Sequence, residues 1–246
     1  MAGHSKWNNI KRKKGAADAK RAAIFSKLGR ELAVAVREGG PDPEANARLA
    51  AVIVKAKASN MPNDNINRSI QRAAGSGEGA DYEEITYEGY GPGGVAVMVR
   101  SLTDNRNRTA GEVRHAFDKH GGNLGTTGCV SFMFQNRGVL VIERSEALDE
   151  ETVLMEALDA GASDVESEDE AFIIYTDPGD FTAVETAMSE AGYSFAQAEI
   201  QPTPDNYIAL ADLDQSEHME KLIEDLEDSD DVQDVWHNWE PDEEAS

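Results

Sequence analysis

Cysteine is nearly absent from this 246-residue chain: Cys129 stands alone. An internal disulfide framework and a cysteine-rich zinc site are therefore both excluded, which points to a reducing, cytoplasmic setting. Long apolar runs are also missing. The longest, such as residues 49–54, fall far short of the ~20 residues that a bilayer-spanning helix requires. No apolar segment follows the basic start, so no secretory leader is expected. Enzyme signatures are wanting too. His4, His115, His120, His218 and His237 are scattered, without an HExxH pair or a GxSxG elbow, and no P-loop Lys-Ser/Thr or helix-opening GxGxxG occurs. The acids of residues 225–234 have neither the order nor the loop glycine of an EF-hand. The expectation is a protein that is not an enzyme, with no metal, no cofactor, no small-molecule substrate and no membrane contact.

What is present is enough apolar material, 40% of residues, to bury cores in one large or two to three small domains. Basic residues are unevenly placed. The formal net charge is −24, yet residues 1–76 carry +9, residues 77–130 carry −3 and residues 131–246 carry −30. An acidic surface repels phosphate, whereas a basic head on an acidic body suggests a polyanion-binding module joined to something else.

Periodicity divides the chain in the same place. Residues 2–15 are polar and basic with little to bury, an arm rather than a core element. Ile24, Leu28, Leu32, Ala35 and Val36 recur at helical spacing until Gly39-Gly40. Asp42-Pro43 reads as a cap and first residue of a second helix, with Leu49, Val52, Ile53 and Ala56 inward, and Ile66, Ile70 and Ala73 mark a third. Residues 75–80 read as a linker. Beyond it the period becomes two, with strands at 84–88 and 95–102 around a glycine-rich turn. A helix at 109–120 and a strand at 129–134 follow. Residues 139–201 spell β-α-β-β-α-β, the split βαβ unit, and the flanking pieces 95–134 and 206–238, joined, spell it again. The expected fold is α+β: an N-terminal helical domain followed by two ferredoxin-like α+β domains, one inserted into the other. The boundaries are 1–76 for the arm and helical domain, 77–135 plus 205–239 for the split domain, 136–204 for the inserted one and 240–246 for an acidic tail.

The candidate nucleic-acid contacts are Lys6, Lys11, Arg12, Lys13, Lys14, Lys20, Arg21, Lys27 and Arg30, a one-sided run in an acidic chain. Lys as a point charge and Arg as a fork both suit phosphate oxygens. A solvated helix face and a transit peptide are the competing readings of that run. Trp7 either stacks on a base or anchors the arm. Lys55, Lys57, Arg68 and Arg72 either extend the basic face or are ordinary helical surface. Arg106 and Arg108 stand at a helix start already favourable to anions, where capping explains Asp104, Asn105 and Thr109 but not two arginines. The loop Tyr87-Glu88-Gly89-Tyr90-Gly91-Pro92-Gly93-Gly94 has backbone that can approach a partner closely, or is simply a hairpin connection. The 16 acids of residues 205–246 serve either as a solubilising surface or as a mask for the basic head.

Several motifs together resemble the YebC/PmpR family: residues 1–7 (MAGHSKW), 25–32 (FSKLGREL), 60–65 (NMPNDN), 87–94 (YEGYGPGG), 104–109 (DNRNRT) and 121–125 (GGNLG). Cys129 stands where the family pattern leads one to expect serine. The resemblance spans nearly the whole chain. It implies a three-domain cytoplasmic protein with one of two roles: a DNA-binding transcriptional regulator, or a ribosome-associated, rRNA-binding translation factor that relieves stalling on proline-rich sequences, as for the related mitochondrial translational activator of cytochrome oxidase. No clear recognition helix and no RNP1-type aromatic strand stand out, so shape and charge recognition is expected.

Overall fold

The computed structural model describes residues 21–75 and 81–241. The expected arm, the start of the first helix, most of the linker and the last five residues lie outside them. The chain forms two compact units. The first takes the described residues of Ala16–Cys129 together with Asp212–Val235; the second takes Val130–Ala211 and residues 236–241.

The first unit opens with three helices, α1 (Arg21–Gly39), α2 (Ala47–Ala58) and α3 (Asn63–Ala74). Their apolar stripes meet in one core of Leu28, Leu32, Ala35, Val36, Leu49, Val52, Ala56, Met61 and Ile66. The second helix starts later than the Asp42-Pro43 pair suggests. Asp42 accepts from the Glu44 backbone N–H at 3.0 Å in a local turn, and Asn46 is the true cap, accepting from Leu49 N–H at 3.0 Å. Asn46 is buried and its amide also donates to the carbonyls of Ala35 (2.7 Å) and Gly40 (2.8 Å). One side chain thus ends α1 and begins α2, satisfying groups that a helix terminus would leave orphaned.

The same unit continues with β1 (Glu83–Tyr90), β2 (Ala96–Thr103), α4 (Arg106–Lys119) and β3 (Asn123–Leu124), then α7 (Leu213–Asp228) and β9 (Val232–His237), whose last two residues fall in the second unit. The sheet order is β3-β1-β2-β9, with β1 antiparallel to both neighbours. Val97 and Val99 of β2, Val113 and Phe117 of α4, and Met219, Leu222, Ile223 and Leu226 of α7 are all buried. The apolar spacing of three and four along α7 sets its inward face. Residues 129–134 do not form the expected strand: the chain turns there through a short 3-10 segment, Ser131–Met133. The edge position beside β1 goes to the two residues of β3.

The second unit holds β4 (Phe134–Glu143), α5 (Glu150–Asp159), β5 (Asp164–Ser167), β6 (Ala171–Thr176), α6 (Phe181–Glu190) and β7 (Gln197–Pro204). The fully antiparallel order β5-β6-β4-β7 is the split βαβ arrangement expected from the period changes. Every residue of β6 is buried. Leu140, Ile142, Phe172 and Ile174 face α5 and α6 in one cluster. Val139, Val141, Ile173 and Tyr175 form another on the alternate positions. The strand expected at 207–210 contracts to β8 (Ile208–Ala209), which pairs in parallel with β10 (Trp239–Glu240) in a separate two-stranded sheet. The molecule is mixed α+β, with a helical N-terminal part followed by sheets that carry helices.

Candidate nucleic-acid interface

Of the cations singled out in the sequence, Lys6, Lys11, Arg12, Lys13, Lys14 and Lys20 lie outside the described residues, and Arg21 enters only as the first backbone residue of α1. The remaining four are engaged within the first unit. Lys27 donates to the Glu227 carbonyl at 2.6 Å. Arg30 donates to Asp231 Oδ1 at 2.6 Å and to the Asp230 carbonyl, and its guanidinium lies over the Tyr82 ring, 5.6 Å from the centroid. Arg106 pairs with Glu83 at 3.4 Å, both exposed. Arg108 reaches Asp231 Oδ2 at 2.7 Å and Asp104 at 2.9 Å.

Arg30 and Arg108, 78 positions apart, therefore converge on one carboxylate. Asp231 is 3% exposed and also accepts from the hydroxyls of Thr109 (2.7 Å) and Thr103 (3.2 Å). Burial alone would raise its pKa. The hydrogen bonds from Arg108 and Thr109 and the charges of Arg30 and Arg108 outweigh that and hold the carboxyl below its usual range. The Arg108 guanidinium is correspondingly held above its ordinary value by its bonds to Asp231 and Asp104. A second cluster lies along β2. Arg100 donates to Asp234 through Nε at 2.8 Å and to Glu31 at 3.2 Å, and Glu31 also receives Lys55 at 3.1 Å. Arg48 bridges Glu38 (2.6 Å) and Glu84 (2.9 Å), and Arg37 meets Asp81 at 2.7 Å.

Within residues 225–234, Asp231 thus receives Arg30 of α1 and Arg108 of α4, Asp234 receives Arg100 of β2, and Asp225 receives Lys119 and His120. A phosphate at Arg30 or Arg108 would share the guanidinium with Asp231. Among the described residues, Lys57, Arg68, Arg72 and Arg114 are exposed cations with no side-chain hydrogen bond or ion pair. Three of them sit on α2 and α3.

The glycine-rich loop divides into two halves. Gly89 lies inside β1, where a Cβ would stand 2.7 Å from the Asn123 carbonyl oxygen and 2.8 Å from Phe117, so glycine there permits strand-to-helix packing. Tyr90 donates its hydroxyl to the Cys129 carbonyl at 2.9 Å, Gly91 and Pro92 are buried, and Tyr87 is half-buried. Gly93 and Gly94 are exposed at the tip with φ of 63° and 81°, the left-handed region where side chains are strained. Within this loop Gly93 and Gly94 are the exposed glycines, and Tyr87 and Tyr90 are half-buried. No group of three or more His, Cys, Asp or Glu side chains among the described residues is placed to hold a metal ion, and no described helix is long and apolar enough to cross a membrane.

Sequence reasoning missed Asp231 as a hub and Asn46 as a double cap. The alternation of Thr103 and Thr109 around the 104–108 motif is the one local signal for the first. The second shows only as an Asn four residues after the Asp of the Asp-Pro pair.

Known proteins extend these observations. Residues 5–76 match the family model described as the TACO1/YebC protein N-terminal domain, and residues 82–239 match that of the TACO1/YebC second and third domain. A protein of Ruminiclostridium cellulolyticum named "Probable transcriptional regulatory protein" is 60% identical over 99% of this chain and 98% of its own length. One of the same name from Acetivibrio thermocellus is 58% identical over 97% and 99%. The crystal structure of a conserved hypothetical protein from Aquifex aeolicus superposes with a TM-score of 0.83 at 46% identity, covering 93% of this chain and 94% of that one. With both models matched in order and full-length relatives at this identity, the chain belongs to the TACO1/YebC family, whose relatives carry the name of transcriptional regulators.

Proposed function

We propose that the chain is a non-enzymatic regulator of gene expression that binds nucleic acid, DNA in the service of transcription, through its basic N-terminal helical part. The observation that carries this reading is the segregation of charge: residues 1–76 hold +9 in a chain of −24. Counterion release makes such a module bind a polyanion with strong salt dependence. The relatives' name supports the transcriptional assignment. In this reading residues 1–76 bind, the split domain 77–135 plus 205–239 orients the binding part through Asp231 and Arg100, and the inserted domain 136–204 and the end 240–246 supply the acidic body. Cofactor and substrate are not required, and the site of action is the cytoplasm.

The test sets promoter duplex DNA against ribosomes at equal salt. Retention of full-length protein on the duplex, weakening linearly on a log–log salt plot, is the expected result. Sedimentation with ribosomes and no affinity for the duplex would replace this reading with the ribosome-associated one.

A further inference from the structure

Two helices of the first unit, α2 and α3, have 12 residues each and are joined by residues 59–62 alone. The turn is built by a specific chemistry. Asn60 has φ 57°, the one left-handed non-glycine among the described residues. Its N–H donates to Lys57 O and the Met61 N–H to Ala56 O, both at 2.9 Å. This pair of bonds is a Schellman closure, with Met61 buried as its apolar contact. Pro62 then stands as the N-cap of α3. A fixed four-residue turn between two helices that each pack on α1 is the local architecture of a helix-turn-helix, whose second helix faces outward.

The outward face of α3 has two adjacent rows at i, i+4 spacing. One is Asn63, Asn67 and Gln71; the other is Asp64, Arg68 and Arg72. The inward positions are Ile66, Ile70 and Ala73. Asn67, Arg68, Gln71 and Arg72 are all exposed, and none makes a side-chain hydrogen bond within the described residues. That contrasts with Lys27, Arg30, Arg37, Arg48 and Lys55 on α1 and α2, each held by an internal acceptor. Amide side chains read adenine edges bidentately, and guanidinium groups take phosphate or guanine. The B-form major groove admits a helix, whereas the deep, narrow major groove of A-form RNA does not.

We propose that α3 is the helix that enters the major groove of duplex DNA, with Arg68 and Arg72 on backbone phosphates at the groove wall and Asn67 and Gln71 facing base edges. The proposal rests on the nucleic-acid reading above and names its contact surface.

Fluorescence anisotropy of the full chain on a labelled duplex of about twenty base pairs, selected from a random pool by the protein itself, tests it across a salt series. The double variant Arg68→Ala, Arg72→Ala lowers affinity for every duplex by about tenfold or more and flattens the log–log salt slope by up to about 1.8. Asn67→Ala with Gln71→Ala leaves that slope in place and erodes the preference for the selected duplex over a scrambled one. Both pairs are exposed, and an unchanged circular dichroism spectrum and melting temperature confirm that the variants fold. If the parent binds the duplex and both double variants bind it equally well with the parent's slope and preference, this inference is overturned while the functional reading stands. Loss confined to an RNA hairpin, with duplex affinity intact, also overturns it. A parent that binds no duplex overturns the functional reading itself.

Discussion

Replacing Asp231 by alanine removes one carboxylate and leaves four donors facing the space. Arg30 loses a charge-assisted bond in a setting where its side chain is 18% exposed, a loss of about 1.5–3 kcal/mol. Thr109 loses one acceptor, about 1 kcal/mol, since its hydroxyl is buried but retains the Asn105 carbonyl at 3.2 Å and Thr103 at 2.8 Å. Arg108 is 43% exposed and returns to water. The first unit should therefore lose roughly 2–4 kcal/mol, a downward shift of about 1 M in urea midpoint for a slope of ~2–3 kcal/mol per molar. Hydrogen exchange of the α1 amides reads the same loss locally, because Asp231 ties α1 to the sheet. The pH dependence follows from the lowered native pKa. Stability from the ionised carboxylate is complete above the unfolded value of about 3.9 and disappears as pH falls through the lower native value. The gap between parent and variant should be constant from about pH 7 to pH 5 and close below about pH 4. A gap under about 1 kcal/mol at pH 7, or one that persists undiminished at about pH 2, would refute the hub. Asp231→Asn keeps the shape and one acceptor and should fall between the two.

Asn46→Ala removes the α2 cap and both donors to Ala35 and Gly40, so the helical part should lose about 2–3 kcal/mol, visible as early helix melting in urea. Gly89→Ala drives a methyl into the Asn123 carbonyl and Phe117, which should destabilise by about 1–3 kcal/mol; an unchanged midpoint would mean that β1 and α4 can separate freely. Lys11, Arg12, Lys13 and Lys14 changed together to alanine should weaken binding to all duplexes alike and flatten the salt slope by about 0.9 for each phosphate that the arm neutralises in the parent. A weakening confined to one sequence, with an unchanged slope, would assign base reading to the arm.

The local chain chemistry of this protein determines its elements and their order. Helical spacing placed the stripes of α1 to α3, and period-two alternation placed β1 and β2. The β-α-β-β-α-β rhythm of residues 139–201 was enough to expect the split βαβ sheet that β4 to β7 form. These are signals between neighbours, carried by side-chain direction within a single element. Composition likewise placed the positive charge in the first third. Tertiary structure alone decided where that charge is available. Nothing local to Arg30 or Arg108 indicates that Asp231 will receive both, nor that Arg100 will hold Glu31 and Asp234 together, because ion pairs between residues 69 to 201 positions apart are created by packing and have no sequence period. The same holds for residues 129–134: their apolar run reads as a strand, yet the edge beside β1 is taken by Asn123 and Leu124 and the chain turns instead. Sequence therefore supplied a basic head, and folding sorted its described cations into those bound inside the first unit and those, on α2 and α3, that face solvent.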